Sequence, residues 1–258
     1  MLEGLDAGQL PAPPGSGAEV DADTPGGDPR GPVEVPECLG SALDLDGESF
    51  AVVPRLVEND FTLEAWIKTS VSRAGTRVFE GRALFDSDVV GSGSDFLSTI
   101  ANDRVAFGIG GSVDVGLQGS EVVTTNEWVH VALTRSAGSG QLQIFVNGAL
   151  DAVTSGSNLS PLNGQPNLAF GGASTSNHFV GSIDEVRVWR VVRSAQEIAA
   201  NLRQRLRGSE DGLVGYYDFE DQGASESADR SALGITAALV GNPSYVTSTA
   251  LCSPGQTF

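Results

Sequence analysis

From residue 41 onward the chain breaks into short apolar segments separated by Gly, Asn, Asp and Ser. That punctuation admits strands and leaves little room for helices. "ALDLDGESFAVV" alternates and turns at Asp46-Gly47. "DFTLEAWIK" sets Phe61, Leu63, Ala65 and Ile67 on one face and Glu64, Trp66 and Lys68 on the other. "RALFDS", "DFLSTIA", "RVAFGIG", "EWVHVALTR", "QLQIFVNGALDAV" and "NLAFGG" continue the run, with Asn147-Gly148 as a hairpin signal. "GLVGYYDFED" and "ITAALVGNPSYVTS" return to strand near the C-terminus. Turns at this spacing predict an all-β fold, a two-sheet antiparallel sandwich. One helix interrupts, in "RSAQEIAANLRQRL". Ser194 is its expected N-cap and Glu197 closes a capping box. Ile198, Leu202 and Leu206 form its apolar stripe, and it is expected to pack at an edge of the sandwich.

The first 37 residues differ in kind. Residues 1–40 hold eight acids against one base and seven of the twelve prolines. Such a stretch buries too little apolar surface to offset its ordering entropy. Residues 1–37 are therefore expected to be a disordered acidic linker, and 38–258 the folded domain. The whole chain carries 33 acidic and 15 basic residues, a formal net charge of −18. That balance opposes nucleic-acid binding and docking on anionic membranes. No apolar run reaches transmembrane length, so membrane insertion is not expected. The chain shows no basic segment followed by an apolar core of the kind that marks a signal peptide.

The two cysteines, Cys38 and Cys252, stand at opposite ends of the expected domain. The ends of a compact domain often lie close together, which predicts a Cys38–Cys252 disulfide. A bridge implies an oxidising, extracellular or cell-surface location.

The strand "GSIDEVRVWR" poses a question. Period-2 alternation puts Asp184 on one face with Val186 and Val188, and Ile183, Glu185, Arg187 and Trp189 on the other. A carboxylate on an apolar face costs several kcal/mol unless it is paired, hydrogen-bonded or bound to a metal. The same arithmetic separates Asp184 from Glu185, so the two are not expected to flank one bond.

Seven segments in order carry a resemblance: "ALDLDGESFAVV", "FTLEAWIK", "NEWVHVALTR", "LQIFVNGAL", "GSIDEVRVWR", "SAQEI" and "GLVGYYDFED". Together they resemble the laminin-G-like domains of the concanavalin A-like lectin/glucanase superfamily, over about residues 40–250. The resemblance implies a jelly roll, mostly non-catalytic, that binds glycans or proteins or supports a neighbouring domain, often with calcium. It implies a calcium-ligand role for Asp184, with backbone carbonyls as partners and Asp46 as the best second carboxylate. Calcium takes six to eight oxygens, so few carboxylates suffice. Two other readings stand beside it: Asp184 accepting backbone N–H bonds or pairing with an arginine, and Asp46 forming its turn before Gly47.

Catalysis finds little support. A glucanase needs carboxylates flanking one bond. Only Asp218 and Glu220 share a face at that spacing, and a solvated strand edge is the favoured reading of them. His130 is expected to be packed and hydrogen-bonded, and His178 exposed in a loop. Two separated cysteines and two separated histidines give no zinc cluster. The polar loops 86–96, 154–165 and 171–179 offer hydrogen-bonding groups, but only Phe96 and Phe179 as nearby aromatics. Trp66, Trp128 and Trp189 are expected to pack within the sheets. The reading is a non-enzymatic, extracellular binding module for a glycan or protein, calcium-stabilised. An assembly domain for a partner subunit is the alternative, and a glycan hydrolase the least favoured.

Overall fold

A computed structural model describes residues 38–256, apart from 76, 90, 92, 112–113, 173–176, 224 and 255. The expected linker, 1–37, lies outside the described residues. Along the chain run β1 (Gly40–Asp46), β2 (Phe50–Pro54), β3 (Phe61–Lys68), β4 (Arg82–Ser87), β5 (Phe96–Ala101) and β6 (Arg104–Ile109). Next come β7 (Val115–Gln118), β8 (Val129–Ser136), β9 (Gln141–Val146), β10 (Ala149–Thr154), β11 (Asn167–Phe170) and β12 (Val180–Trp189). After helix α1 (Ala195–Asn201) follow β13 (Leu213–Tyr217), β14 (Glu226–Ser227), β15 (Ala237–Val240) and β16 (Ser244–Ser248). A single 3-10 turn, Val78–Glu80, precedes β4.

The strands form two antiparallel sheets, as the turn spacing predicts. The first runs β10-β9-β8-β3-β12-β1-β16, with β13 also paired to β12. The second runs β14-β15-β2-β11-β4-β5-β6-β7. The late strands thus complete both sheets: β13 and β16 join the first, β14 and β15 the second. The alternation in β3 holds, and its inward residues Phe61, Leu63, Ala65 and Ile67 are fully buried. They meet Phe85, Phe96, Phe107 and Phe170 from the opposite sheet. Phe61 and Phe96 bring their ring centroids to 5.0 Å. Each such buried side chain contributes roughly 1.5–3 kcal/mol. Among the described residues no helix is long and apolar enough to cross a membrane.

The Asn147-Gly148 turn joins β9 to β10 with both residues at positive φ, 49° and 80°, the geometry a two-residue hairpin needs. Gly148 has a second role. A Cβ there would come within 3.1 Å of Ala199 Cα, so its absence lets α1 approach the hairpin.

The helix has the expected cap. Ser194 Oγ accepts from Glu197 N at 3.3 Å, and Glu197 Oε2 accepts from Ser194 N at 2.8 Å. Its placement differs from expectation. Ile198 buries against Ala132 of β8 and Phe145 of β9. The helix therefore covers the outer face of the first sheet instead of flanking an edge. The reason is a sheet whose outer face carries Ala132, Trp66 and Phe145, which need cover.

Cys38 and Cys252 form the predicted disulfide, with Cα atoms 4.8 Å apart and a sequence separation of 214. In the chain-entropy account a loop of that length contributes up to about 5 kcal/mol. Reduction of the native protein is expected to lower its unfolding temperature and to add the mass of a pair of hydrogens. Calorimetry and intact mass with and without reductant check both, and an unchanged mass would mean no bridge.

Candidate functional site

The strand that carries Asp184 is not regular. In the pairing of β12 with β3, Asp184 lies opposite Trp66 and Arg187 opposite Glu64, so Glu185 and Val186 together face one residue, Ala65. This is a β-bulge. Glu185 adopts φ +51°, a left-handed conformation few non-glycine residues take. The bulge falls where β12 exchanges β1 for β13 as its neighbour. One extra residue corrects the sequence arithmetic. Ile183, Val186 and Val188 point into the core. Asp184 leaves the valines and shares the outer face with Glu185 and Arg187.

That outer face holds a buried polar network. Asp184 Oδ1 accepts from Glu185 N at 2.7 Å and Oδ2 from Ser248 Oγ at 2.5 Å. Asp184 is 4% exposed and Glu185 2%. Burial and the neighbouring Glu185 carboxylate push Asp184 well above the usual carboxylate range. Glu185 accepts from Tyr216 Oη at 2.9 Å and from Arg187 Nη2 at 2.7 Å. Its burial also raises it, against the pull of Arg187.

Glu64 is the hub. Its Oε1 accepts from Arg193 Nη1 at 2.6 Å, and its Oε2 lies 3.3 Å from His130 Nε2 and 4.0 Å from Arg187 Nη1. Burial works to raise Glu64, but His130, Arg187 and Arg193 outweigh it and hold the carboxyl down at about 2. Burial also pushes His130 down, which favours its neutral imidazole. His130 is packed, as expected. Trp66 Nε1 donates to Leu202 O at 2.8 Å, and its ring is stacked by Arg203. Arg193 likewise covers Trp189, 4.2 Å from the ring centroid. These aromatics pack under arginines and offer no open platform.

The acids singled out for calcium do not come together. Asp46 lies opposite Val180, four residues along β12 from Asp184, or about 13 Å at strand rise. Asp46 Oδ1 is engaged by Glu48 N, Ser49 N and Ser49 Oγ at 2.9, 2.9 and 2.8 Å, its own turn. Glu48 N–H leads the contacts that lower its carboxyl. Calcium needs oxygens within about 2.6 Å of one point. At that separation the two carboxylates cannot ligate one calcium. Among the described residues no group of three or more His, Cys, Asp or Glu is placed to hold a metal.

The two acids of "YYDFED" are also divided. Asp218 pairs with Arg230 at 3.0 Å and Glu220 with Arg205 at 2.9 Å, while Phe219 between them is buried in the core. His178 is half-buried, its ring 5.3 Å from that of Phe50, not exposed as its loop sequence led one to expect.

A cleft lies elsewhere, over the outer face of the second sheet. Its floor is the cross-strand row Leu97, Gly108, Gly116 on β5, β6 and β7. The 3-10 turn sits on that row. A Cβ at Gly108 or Gly116 would come within 3.0 Å of Val78 Cγ2, so the glycines let Val78 down onto the sheet. Thr99 Oγ1 donates to Val78 O at 2.7 Å and pins the turn. Phe79 projects beyond it, 58% exposed, with the Arg77 guanidinium 5.7 Å from its ring centroid. Asp88 and Asp95 enter from the loop after β4, and Asp114 from the loop after β6. The cavity measures about 770 Å³, within the range of small-ligand sites. Asp95 is buried. Its burial, with the nearby Asp114 and Asp86 charges, raises it above the usual range against a hydrogen bond from Val89 N. The loop 86–96 was legible as a source of polar groups. Phe79 was not, although it stands outside any alternating run in "AGTRVFEGR".

A family model described as the concanavalin A-like lectin/glucanases superfamily, of laminin-G type, matches residues 46–199. The chain belongs to that superfamily, as its motifs implied. No curated protein matches it significantly. Among solved structures, a Bacteroides ovatus protein assigned as carbohydrate binding aligns with TM-score 0.63 and 20% identity, over 81% of this chain and 60% of that one. The Ruminococcus gnavus IT-sialidase CBM40 bound to α2,3-sialyllactose gives 0.49 and 20%, over 63% and 96%. Mouse laminin α1 domains LG4-5 give 0.48 and 15%, over 61% and 44%. The chain thus spans less than two thirds of the Bacteroides and laminin chains.

Two variants test the buried network. A carboxyl raised by the fold stabilises it fully below the unfolded value and loses that contribution as pH climbs through the folded value. Asn at 184 keeps the bond from Glu185 N at its Oδ1, turns its Nδ2 to donate to Ser248 Oγ, and stays neutral. Asp184→Asn is therefore expected to unfold a few degrees above wild type at pH 7 and level with it near pH 4, read by thermal scans across pH. Glu64 has the opposite sign: its contribution is present above its ordinary value of 4.5 and is lost as pH falls towards about 2. Glu64→Gln leaves Arg193 and Arg187 buried without their counter-charge, an expected cost of about 3–5 kcal/mol at pH 7 by denaturant unfolding.

Proposed function

We propose that the domain is a non-enzymatic module that binds a glycan in the cleft over β5, β6 and β7. The observation that carries this reading is Phe79, an exposed ring held over a cavity that Asp88, Asp95 and Asp114 line together with Arg77 and Gln118. A sugar presents an apolar ring face and a rim of hydroxyls. An aromatic face and carboxylate acceptors match both. The floor glycines seat the turn that carries Phe79. The likeness in fold to the Bacteroides protein assigned as carbohydrate binding is consistent with this use.

The engagement of Asp218 and Glu220 by separate arginines supports binding without turnover. The disulfide supports work in an oxidising compartment outside the cytoplasm. Calcium is not part of the proposal, because the residues that suggested it do not converge.

Screening the full chain on a glycan array is expected to yield a bound glycan that is recovered uncleaved. Phe79→Ala is expected to weaken that binding about tenfold by titration calorimetry, the scale of one aromatic contact. Unchanged affinity in Phe79→Ala, or an oligomer in solution with no glycan bound, would shift the reading to an assembly domain.

A further inference from the structure

The cleft is acidic. Asp95 and Asp114 line it, and Arg77, the cation among its described lining residues, has its guanidinium turned onto the Phe79 ring. Asp95 is 4% exposed. Its Oδ2 accepts from Val89 N at 3.1 Å, and no other described residue donates to its Oδ1. Asp114, exposed at the rim, has only the Gly111 N–H at 3.4 Å. Two carboxylates with spare acceptor capacity therefore line one cavity, and the Asp114 charge opposes the ionisation of Asp95. An anionic ligand would add to that repulsion. A neutral one would leave it unrelieved. A cation with several N–H donors would relieve it and satisfy the open oxygen.

We infer that the cleft selects glycans carrying a free primary amine, a 2-amino sugar as its ammonium, over their N-acetylated or acidic counterparts. The inference rests on the proposed glycan-binding reading. The ammonium group addresses Asp95 and Asp114, and the apolar face of the sugar ring lies against Phe79. Volume argues for a small ligand over a protein surface: about 770 Å³ suits a short oligosaccharide, whereas a protein partner wants a broad, flat patch.

Titration calorimetry of the full chain with three trimers tests this: β-1,4-linked glucosamine, its fully N-acetylated form, and a hexuronate. The free-amine trimer is expected to bind at least tenfold more tightly than the N-acetylated one, with the hexuronate weakest. Asp114→Asn, at an exposed position, and Asp95→Asn are each expected to cut the ratio between the first two several-fold. Asp211→Asn, on the surface away from the cleft, is expected to leave the ratio unchanged, separating the cleft from the field of the whole acidic chain. Equal affinities for the amine and N-acetyl trimers would overturn the charge selection while leaving glycan binding intact. So would a ratio that survives both cleft variants, or one that Asp211→Asn lowers equally. A lysine-rich tripeptide binding more tightly than the amino sugar would also overturn it. Binding of none of the trimers, with no hit on a wider array, would remove the glycan reading itself.

Discussion

The structure is organised around one buried carboxylate, Glu64, on the central strand β3. Through Arg193 it reaches the helix: the same guanidinium donates to Glu197 O at 3.0 Å and to Asn201 Oδ1 at 2.8 Å. Through Arg187 it reaches the helix end and beyond, since that side chain donates to Asn201 O at 3.0 Å and Gln204 O at 2.7 Å. Two arginines thus fasten α1 and the following segment to a sheet face that would otherwise stand open. Charged groups taken out of water gain little net stability, but removing one of them is costly. The network therefore serves chiefly to fix where the helix sits. The apolar contact of Ile198 alone would tolerate sliding; charged hydrogen bonds with fixed geometry do not.

Much of the fold was legible because most strands obey simple alternation. In β3 every inward residue is apolar and every prediction of facing holds. The N-cap at Ser194, the Asn147-Gly148 hairpin and the disulfide were equally local or compositional signals. What escaped was the bulge at Glu185. A single residue inserted into a strand leaves no mark in the alternation of "SIDEVRVW", yet it reverses the face of everything on one side of it. The awkwardness of Asp184 among valines was the sign of it. The residue was never on the apolar face; the strand shifts beside it. The answer to its burial is a serine sixty-four positions away, and such long-range partners are invisible in sequence.

The cleft was only half visible for a similar reason. Its carboxylates sit in two loops whose polar, glycine-rich composition advertises exposure. Its floor does not. Gly108 and Gly116 belong to different strands and become neighbours only through register. Phe79 acquires its role because a turn of three residues is set down on those glycines, with Thr99 holding it there. Read singly, none of these residues is unusual.

The disulfide has a mechanical consequence. It joins the residue just before β1 to one just after β16, so all sixteen described strands lie within the loop it closes. A pull applied at Cys38 and Cys252 is carried by a covalent bond and not by the ladders of the sandwich. While oxidised, the domain is a side loop on the path of tension between Cys38 and Cys252. Once reduced, β1 and β16, paired antiparallel along Gly40 to Asp44, would take that force directly, opening from their ends like a zip.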